Sequence, residues 1–193
     1  MGRAAVFLDL EGTLGGEGTG DIVAFAFCGL AVEAIRRLNA AQLPDVVVTN
    51  QSHIGKGLFD EAAFWQRVGC LQDEKAKHGA HWDAVCFCPL GAADACDCRK
   101  PRPGMVLRAQ RELGPDLSAS FLVGDVDAWD MVLAKSVGCR AVLVRTGLGE
   151  GSLADYRYLW AQVVPDHVAE NVLDAVDWII GCSSRRCLGG PLQ

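Results

Sequence analysis

Short apolar runs without polar alternation constrain this 193-residue chain more than any other feature. They are "AAVFLD" at 4–9, "DVVVTN" at 45–50, "SFLVGD" at 120–125 and "RAVLVRTG" at 140–147, with a weaker one, "DAVCFC", at 83–88. A strand exposed on one face alternates; a strand covered on both faces does not. Between the runs, apolar residues recur at helical spacing. Ala31, Ile35 and Leu38 share one face, with Arg36 and Arg37 opposite. Asp60 can cap a helix carrying Phe64, Val68 and Leu71, and Pro103 suits the first residue of a helix carrying Val106, Ala109 and Leu113. Further helices are expected near 131–136 and over 169–180. Strand and helix alternate, which predicts an α/β fold: a doubly wound, mostly parallel sheet with helices on both faces. No repeat, low-complexity tract or second-domain boundary interrupts it, so residues 1–182 read as one domain and 183–193 as a loose tail.

Composition excludes several classes of function. A net charge of −6 argues against a general nucleic-acid binder. The longest apolar run, Ile22 to Val32, is broken by Gly29 and is too short to span a membrane. The N-terminus has no basic segment leading into an apolar stretch and a cleavage site, so a cytoplasmic location is expected. Nine cysteines without a secretion signal argue against a disulfide framework. Cys86, Cys88, Cys96 and Cys98 crowd together; the other five are scattered and read as small core residues or surface thiols.

The polar residues fall where chemistry is expected. In a doubly wound sheet, ligands bind outside the carboxyl ends of the strands. The first strand ends at Asp9 and Glu11, the second at Thr49, Asn50, Gln51 and Ser52, and the fourth at Asp125, with Asp127 and Asp130 behind it. "CRKPRP" adds Arg99, Lys100 and Arg102 on a loop. Asp9, Asp125 and Asp130 could hold Mg²⁺, which prefers carboxylate and water oxygens. Asp9 could then attack a phosphorus atom, while Thr49 and Lys100 hold the phosphoryl oxygens. Glu11 could protonate the leaving oxygen and later deprotonate a water. Gly12 would allow the sharp exit between them. Asp127 and Asp130 have a simpler reading as helix caps.

"DLEGTL", "VVVTNQS", "RKPRPGM" and "VGDVDAWD", in that order, resemble the four motifs of the haloacid dehalogenase (HAD) superfamily of phosphohydrolases. "TNQSHIGKGLF", "CDCRKPRPGM", "LVRTG" and "DHVAENVLDAVDWII" extend the likeness to its histidinol-phosphate and heptose-bisphosphate phosphatase branch. The resemblance implies a HAD-like Rossmannoid fold without a large cap domain. It implies Asp9 as nucleophile and residue 11 as acid/base, with the backbone carbonyl of residue 11 also on Mg²⁺. Thr49 and Asn50 would contact phosphate or orient the site, Arg99 would meet the substrate, Lys100 would bind phosphate, and Asp125 and Asp130 would complete the Mg²⁺ ligands.

Four departures stand out. Glu11 replaces the usual Asp. The last motif carries one extra residue, with Val126 where the branch often has Lys, so Asp127 competes with Asp130 for the outer acidic role. The loop "GGEGTGDIVAFAF" lacks the branch's Tyr and Pro-Glu pattern. Leu90 stands where a zinc-binding His is expected. Four thiolates satisfy tetrahedral Zn²⁺, and Cys88, Cys96 and Cys98 match the branch's ligand positions, so a structural zinc on Cys86, Cys88, Cys96 and Cys98 is expected to fix the loop carrying Arg99 and Lys100. The alternative is a metal-free loop with Cys86 in the core. The expected activity is Mg²⁺-dependent hydrolysis of a small phosphorylated metabolite, a heptose bisphosphate first and histidinol phosphate second. A weakened HAD-fold binding protein is the second reading, favoured by Glu11.

Overall fold

The computed structural model describes residues 2–16, 21–160 and 162–187. Six strands form one sheet: β1 Val6–Leu8, β2 Asp45–Asn50, β3 Ala84–Cys88, β4 Phe121–Gly124, β5 Arg140–Val144 and β6 His167–Ala169. Their order is β3-β2-β1-β4-β5-β6, and every neighbouring pair is parallel. From β1 the chain moves outward to β2 and β3, then returns to β4 on the other side of β1. The topological switch therefore lies between β1 and β4, the place where such sheets bind ligands.

Seven helices follow in chain order: α1 Ala31–Ala40, α2 Ser52–Gly55, α3 Glu61–Ala76, α4 Gly104–Leu113, α5 Val132–Ser136, α6 Gly149–Leu153 and α7 Val172–Cys187. Alternation along the strands builds two cores. Val6 and Leu8 pack with α1, α3 and α7 through Ile35, Leu38, Phe64, Leu71, Val176 and Ile179. Phe7, Val46 and Val48 pack on the opposite face with α4 and α5 through Val106, Ala109, Leu133 and Ala134. The expected doubly wound sheet is what forms. An exposed bidentate contact from Arg37 to Asp177, at 2.6 and 2.7 Å, ties α1 to α7.

Most predicted element boundaries hold to within a few residues. Asp60 caps α3 by accepting from the Ala63 N–H at 2.8 Å. On α4 the buried face uses Met105, Val106 and Ala109, while Leu113, the last residue of the helix, is exposed. The largest revision is at the C-terminal end. Strand β6 is absent from the sequence reading, which assigned Ala169 to a helix. That helix begins only at Val172, where Asn171 Oδ1 accepts from the Leu173 and Asp174 N–H groups at 3.0 and 3.1 Å. It continues to Cys187, so part of the expected loose tail is helical. The remainder of that tail, 188–193, lies outside the described residues. No helix among the described residues is long and apolar enough to cross a membrane.

Candidate active site at the switch of the sheet

Asp9 leaves β1 with its N–H still bonded to the Val123 carbonyl at 2.9 Å, so its place is set by the sheet. Asp125 leaves β4 directly alongside. Asp130 comes from a π-helical turn over Asp127–Met131. One carboxylate oxygen from each of the three lies within 4.8 Å of the other two. Lys100 enters from the loop before α4 and donates to Asp9 Oδ1 at 2.5 Å and to Asp130 Oδ1 at 2.7 Å. All four side chains are buried.

Three buried carboxylates face one ammonium, and the imbalance shows at Asp125 and Asp130. Burial, then the charges of Asp9 and Asp130, pushes Asp125 up to about 8. Burial also pushes Asp130 up to about 7, against the pull of Lys100. Burial works against the Lys100 ammonium, yet Asp130 and Asp9 together hold it above the ordinary lysine range. Asp125 Oδ1 is buried with no hydrogen-bond partner among the described residues. An orphaned carboxylate oxygen amid excess negative charge, with oxygen donors all round, is what a hard divalent cation satisfies. Asp9, Asp125 and Asp130 fit such an ion.

The surrounding chain holds these groups by backbone contacts. The Asn50 side chain clamps Lys100 twice, accepting from its N–H at 3.0 Å and donating to its carbonyl at 3.4 Å. Thr49 is buried beside it and accepts from Gln51 Nε2 at 3.0 Å. Asp125 Oδ2 accepts from the Leu148 N–H at 2.8 Å, and the Thr146 hydroxyl donates to the Gly12 carbonyl at 2.7 Å. Neither residue stands out individually in the sequence, though Thr146 lies within the "LVRTG" stretch and Leu148 follows it. Gly12, at φ +81°, is required here: a Cβ on it would stand 2.0 Å from Asp125 Oδ2. Gly12→Ala is therefore expected to cost about 1–3 kcal/mol of stability, the scale of a strained backbone residue. Chemical denaturation checks this, and a parent-like midpoint and slope would contradict the close approach.

The structure separates the two competing acids. Asp130 joins the cluster, whereas Asp127 Oδ1 accepts from the Ala128 N–H and the Asp127 N–H donates to Ser152 Oγ at 3.4 Å. The extra residue of this segment is absorbed as the π turn. Glu11 is buried next to the cluster, but its carboxylate is not part of it. The Mg²⁺ contact expected of residue 11 is through its backbone carbonyl, not through this carboxylate. The chain turns after Asp9 into a small β-bridged flap, Glu11 to Gly15 and Gly15 to Phe27, and the Glu11 carboxylate lies there against Gly16. A Cβ on Gly16 would come within 2.3 Å of Glu11 Oε2, so the glycine makes room for the longer acid.

Arg99 lies at the rim, donating to the Leu90 carbonyl at 3.0 Å, with its guanidinium 5.8 Å from the Trp129 ring centre. The thiols divide. Cys88, Cys96 and Cys98 cluster, with sulfur separations from Cys88 of 2.9 Å to Cys98 and 3.8 Å to Cys96. Cys86 is not among them. It shares the Cys88 face of β3 but sits two residues back along the strand, about 7 Å lower, and is buried in the core with Val106 and Ala109. The expected fourth ligand therefore lies outside the thiol cluster.

Known proteins share this architecture. The HAD-hydrolase-like family model matches residues 97–175. A D-glycero-β-D-manno-heptose-1,7-bisphosphate 7-phosphatase of Photorhabdus laumondii is 41% identical over 158 residues, covering 76% of this chain and 83% of the relative. The enzyme of the same name from Escherichia coli K12 is 37% identical over 153 residues, with 74% and 80% covered. Among solved structures, the D,D-heptose 1,7-bisphosphate phosphatase of B. bronchiseptica, complexed with magnesium and phosphate, superposes with a TM-score of 0.82. It is 30% identical over 93% of this chain and 99% of that one.

Proposed function

This chain belongs to the HAD-like phosphatases, in the family of the heptose-1,7-bisphosphate 7-phosphatases, and we propose that it hydrolyses a phosphate ester of a sugar bisphosphate through Asp9 with Mg²⁺ as cofactor. The observation that carries the chemistry is the buried Asp9–Lys100–Asp130 constellation beside the orphaned Asp125 oxygen. The substrate follows from the relatives, whose named substrate is D-glycero-β-D-manno-heptose 1,7-bisphosphate. They favour it over histidinol phosphate and over a non-catalytic binding role.

Asp9, Asp125 and Asp130 would hold the cation, which supplies positive charge to screen the phosphate from the carboxylates. The Asp9 carboxylate attacks phosphorus. The bond from phosphorus to the sugar oxygen breaks, and Glu11 gives that oxygen its proton. Glu11, now a carboxylate, takes a proton from water. The water oxygen bonds to phosphorus, and the Asp9–phosphorus bond breaks to release phosphate. Thr49 and Lys100 hold the phosphoryl oxygens, and Asn50 keeps Lys100 in place. Phosphate release from the heptose bisphosphate, with Mg²⁺ and after its chelation, tests the reading. Metal-dependent release selective for that substrate is expected; release unaffected by chelation, or none from any sugar phosphate, would overturn it.

The weakened acidity of Asp125 and Asp130 gives the cation a pH signature. Asp125 and Asp130 move from 3.8 to about 8 and about 7. Both shifts are upward, so the metal-free fold carries no cost from these groups below pH about 4, where folded and unfolded chains are both protonated. The cost grows as pH rises toward 7–8, where the fold keeps protons that the unfolded chain has released. Mg²⁺ takes the deprotonated form, so its increase in Tm should be larger near pH 8 than near pH 6. Equal increases at both would exclude these two carboxylates as its ligands.

A structural zinc on Cys88, Cys96 and Cys98 completes the proposal. Three soft sulfurs in mutual contact suit it, and the reduced thiols it needs fit a cytoplasmic location. Protein purified without added zinc is expected to carry about one zinc per chain. Cys98→Ser should lose most of it and Cys86→Ser should keep it. A zinc-free parent, or loss in Cys86→Ser, would sink this assignment.

A further inference from the structure

Two segments meet at this site through two contacts in parallel. The inner contact is the Lys100–Asp130 ion pair at 2.7 Å. One residue back on each segment is the outer contact, Arg99 over Trp129, with 5.8 Å from guanidinium to ring centre. Trp129 belongs to the π turn, whose Trp129 and Asp130 N–H groups both reach the Val126 carbonyl, at 3.3 and 2.7 Å. Short π-helical stretches are rare and arise where one extra residue is accommodated, often at functional sites. Asp130 still points into the cluster despite the extra residue, and the same turn leaves the Trp129 indole 39% exposed at the mouth. A large aromatic side chain at the surface, against an arginine and next to a reacting centre, asks for an explanation beyond packing.

We propose that Trp129 is a positioning residue that determines specificity: its ring holds the Arg99 guanidinium at the mouth of the site for a second anionic group on the leaving-group side of the substrate. Arg99 is held from two directions, by the ring and by the Leu90 carbonyl. A guanidinium held over a ring keeps N–H donors for a phosphate, and the ring reduces the freedom lost on binding. Trp129 touches no reacting atom; it acts through Arg99. The inference rests on the sugar-bisphosphate reading for the identity of that second group.

The test compares kcat/KM for a sugar bisphosphate and for the matching monophosphate, the heptose 1,7-bisphosphate against the heptose 7-phosphate. Trp129→Ala should lower the bisphosphate-to-monophosphate ratio about fivefold to tenfold, the scale of an exposed to partly desolvated cation–π contact. The loss should appear mainly in KM. Trp129→Phe should recover most of the ratio, since a ring remains. In an Arg99→Ala background, Trp129→Ala should change the ratio no further. A merely structural role would lower both substrates alike and leave the ratio unmoved, and that result would overturn the proposal. So would losses from the two substitutions that multiply. If the parent does not hydrolyse the heptose ester, the substrate reading falls by itself. Fructose 1,6-bisphosphate against fructose 6-phosphate then makes the same comparison, and a parent without preference for the bisphosphate in either pair would end the Trp129 proposal too.

Discussion

Asp9→Asn is expected to lower the Mg²⁺-dependent phosphatase rate by about 10⁵-fold or more, the scale of losing a covalent nucleophile. An amide oxygen cannot form the bond to phosphorus. The fold should survive, because the substitution keeps the shape and its Oδ1 can still accept from the buried Lys100 ammonium, now paired at 2.5 and 2.7 Å. It also removes one negative charge from a cluster whose burial and mutual repulsion push the Asp125 and Asp130 carboxyls above the usual carboxylate range. Thermal unfolding of the metal-free variant should therefore occur at or above the parent's temperature. A variant that keeps most of the parent's rate would remove Asp9 from the nucleophile's role.

Glu11→Gln carries the second large effect, a loss of about 10²–10⁴-fold, the range for general acid–base catalysis. The amide can neither give a proton to the leaving oxygen nor take one from water. Glu11→Asp should keep or raise the rate. Relatives by resemblance use Asp at this position, and Gly16 makes the room that the extra methylene of Glu11 takes up. The steady-state rates of the two variants, measured side by side, decide this. Gln as active as the parent would reduce position 11 to its backbone.

The legibility of this chain follows from the range of the forces involved. Unalternating runs marked β1, β2, β4 and β5, because a strand covered on both faces needs apolar residues at every position. The acids at their ends were legible for the same reason: each interrupts an apolar run where the strand leaves the core. Strand β6 is three residues, as β1 is, but it opens on His167 behind Pro165 and Asp166 and lacks the flanking apolar residues that extend β1 into a run. Asn171 as the cap of α7 was visible in principle, and the apolar pattern beginning at Ala169 obscured it. What sequence could not rank was proximity between distant segments. Asp127 and Asp130 look alike in the chain, and only the π turn decides which one reaches Lys100. Cys86 and Cys88 share a strand face and the same buried core, yet the two-residue step along β3 brings only Cys88 to the loop's thiols. Thr146 and Leu148 act on Gly12 and Asp125 across more than twenty residues, through contacts that no local pattern encodes.

Covalent chemistry at Asp9 is the centre of this functional reading, and acid quenching during turnover tests it most directly. The parent and Glu11→Gln are mixed with the sugar bisphosphate and Mg²⁺, quenched in acid, digested, and the peptide containing Asp9 is weighed. The expected result is one phosphoryl group on Asp9 that appears during turnover and disappears once the substrate is exhausted. It should accumulate further in Glu11→Gln wherever removal of the water proton is the slower step. Steady release of phosphate with no phosphoryl group on that peptide at any time, in either protein, would contradict it.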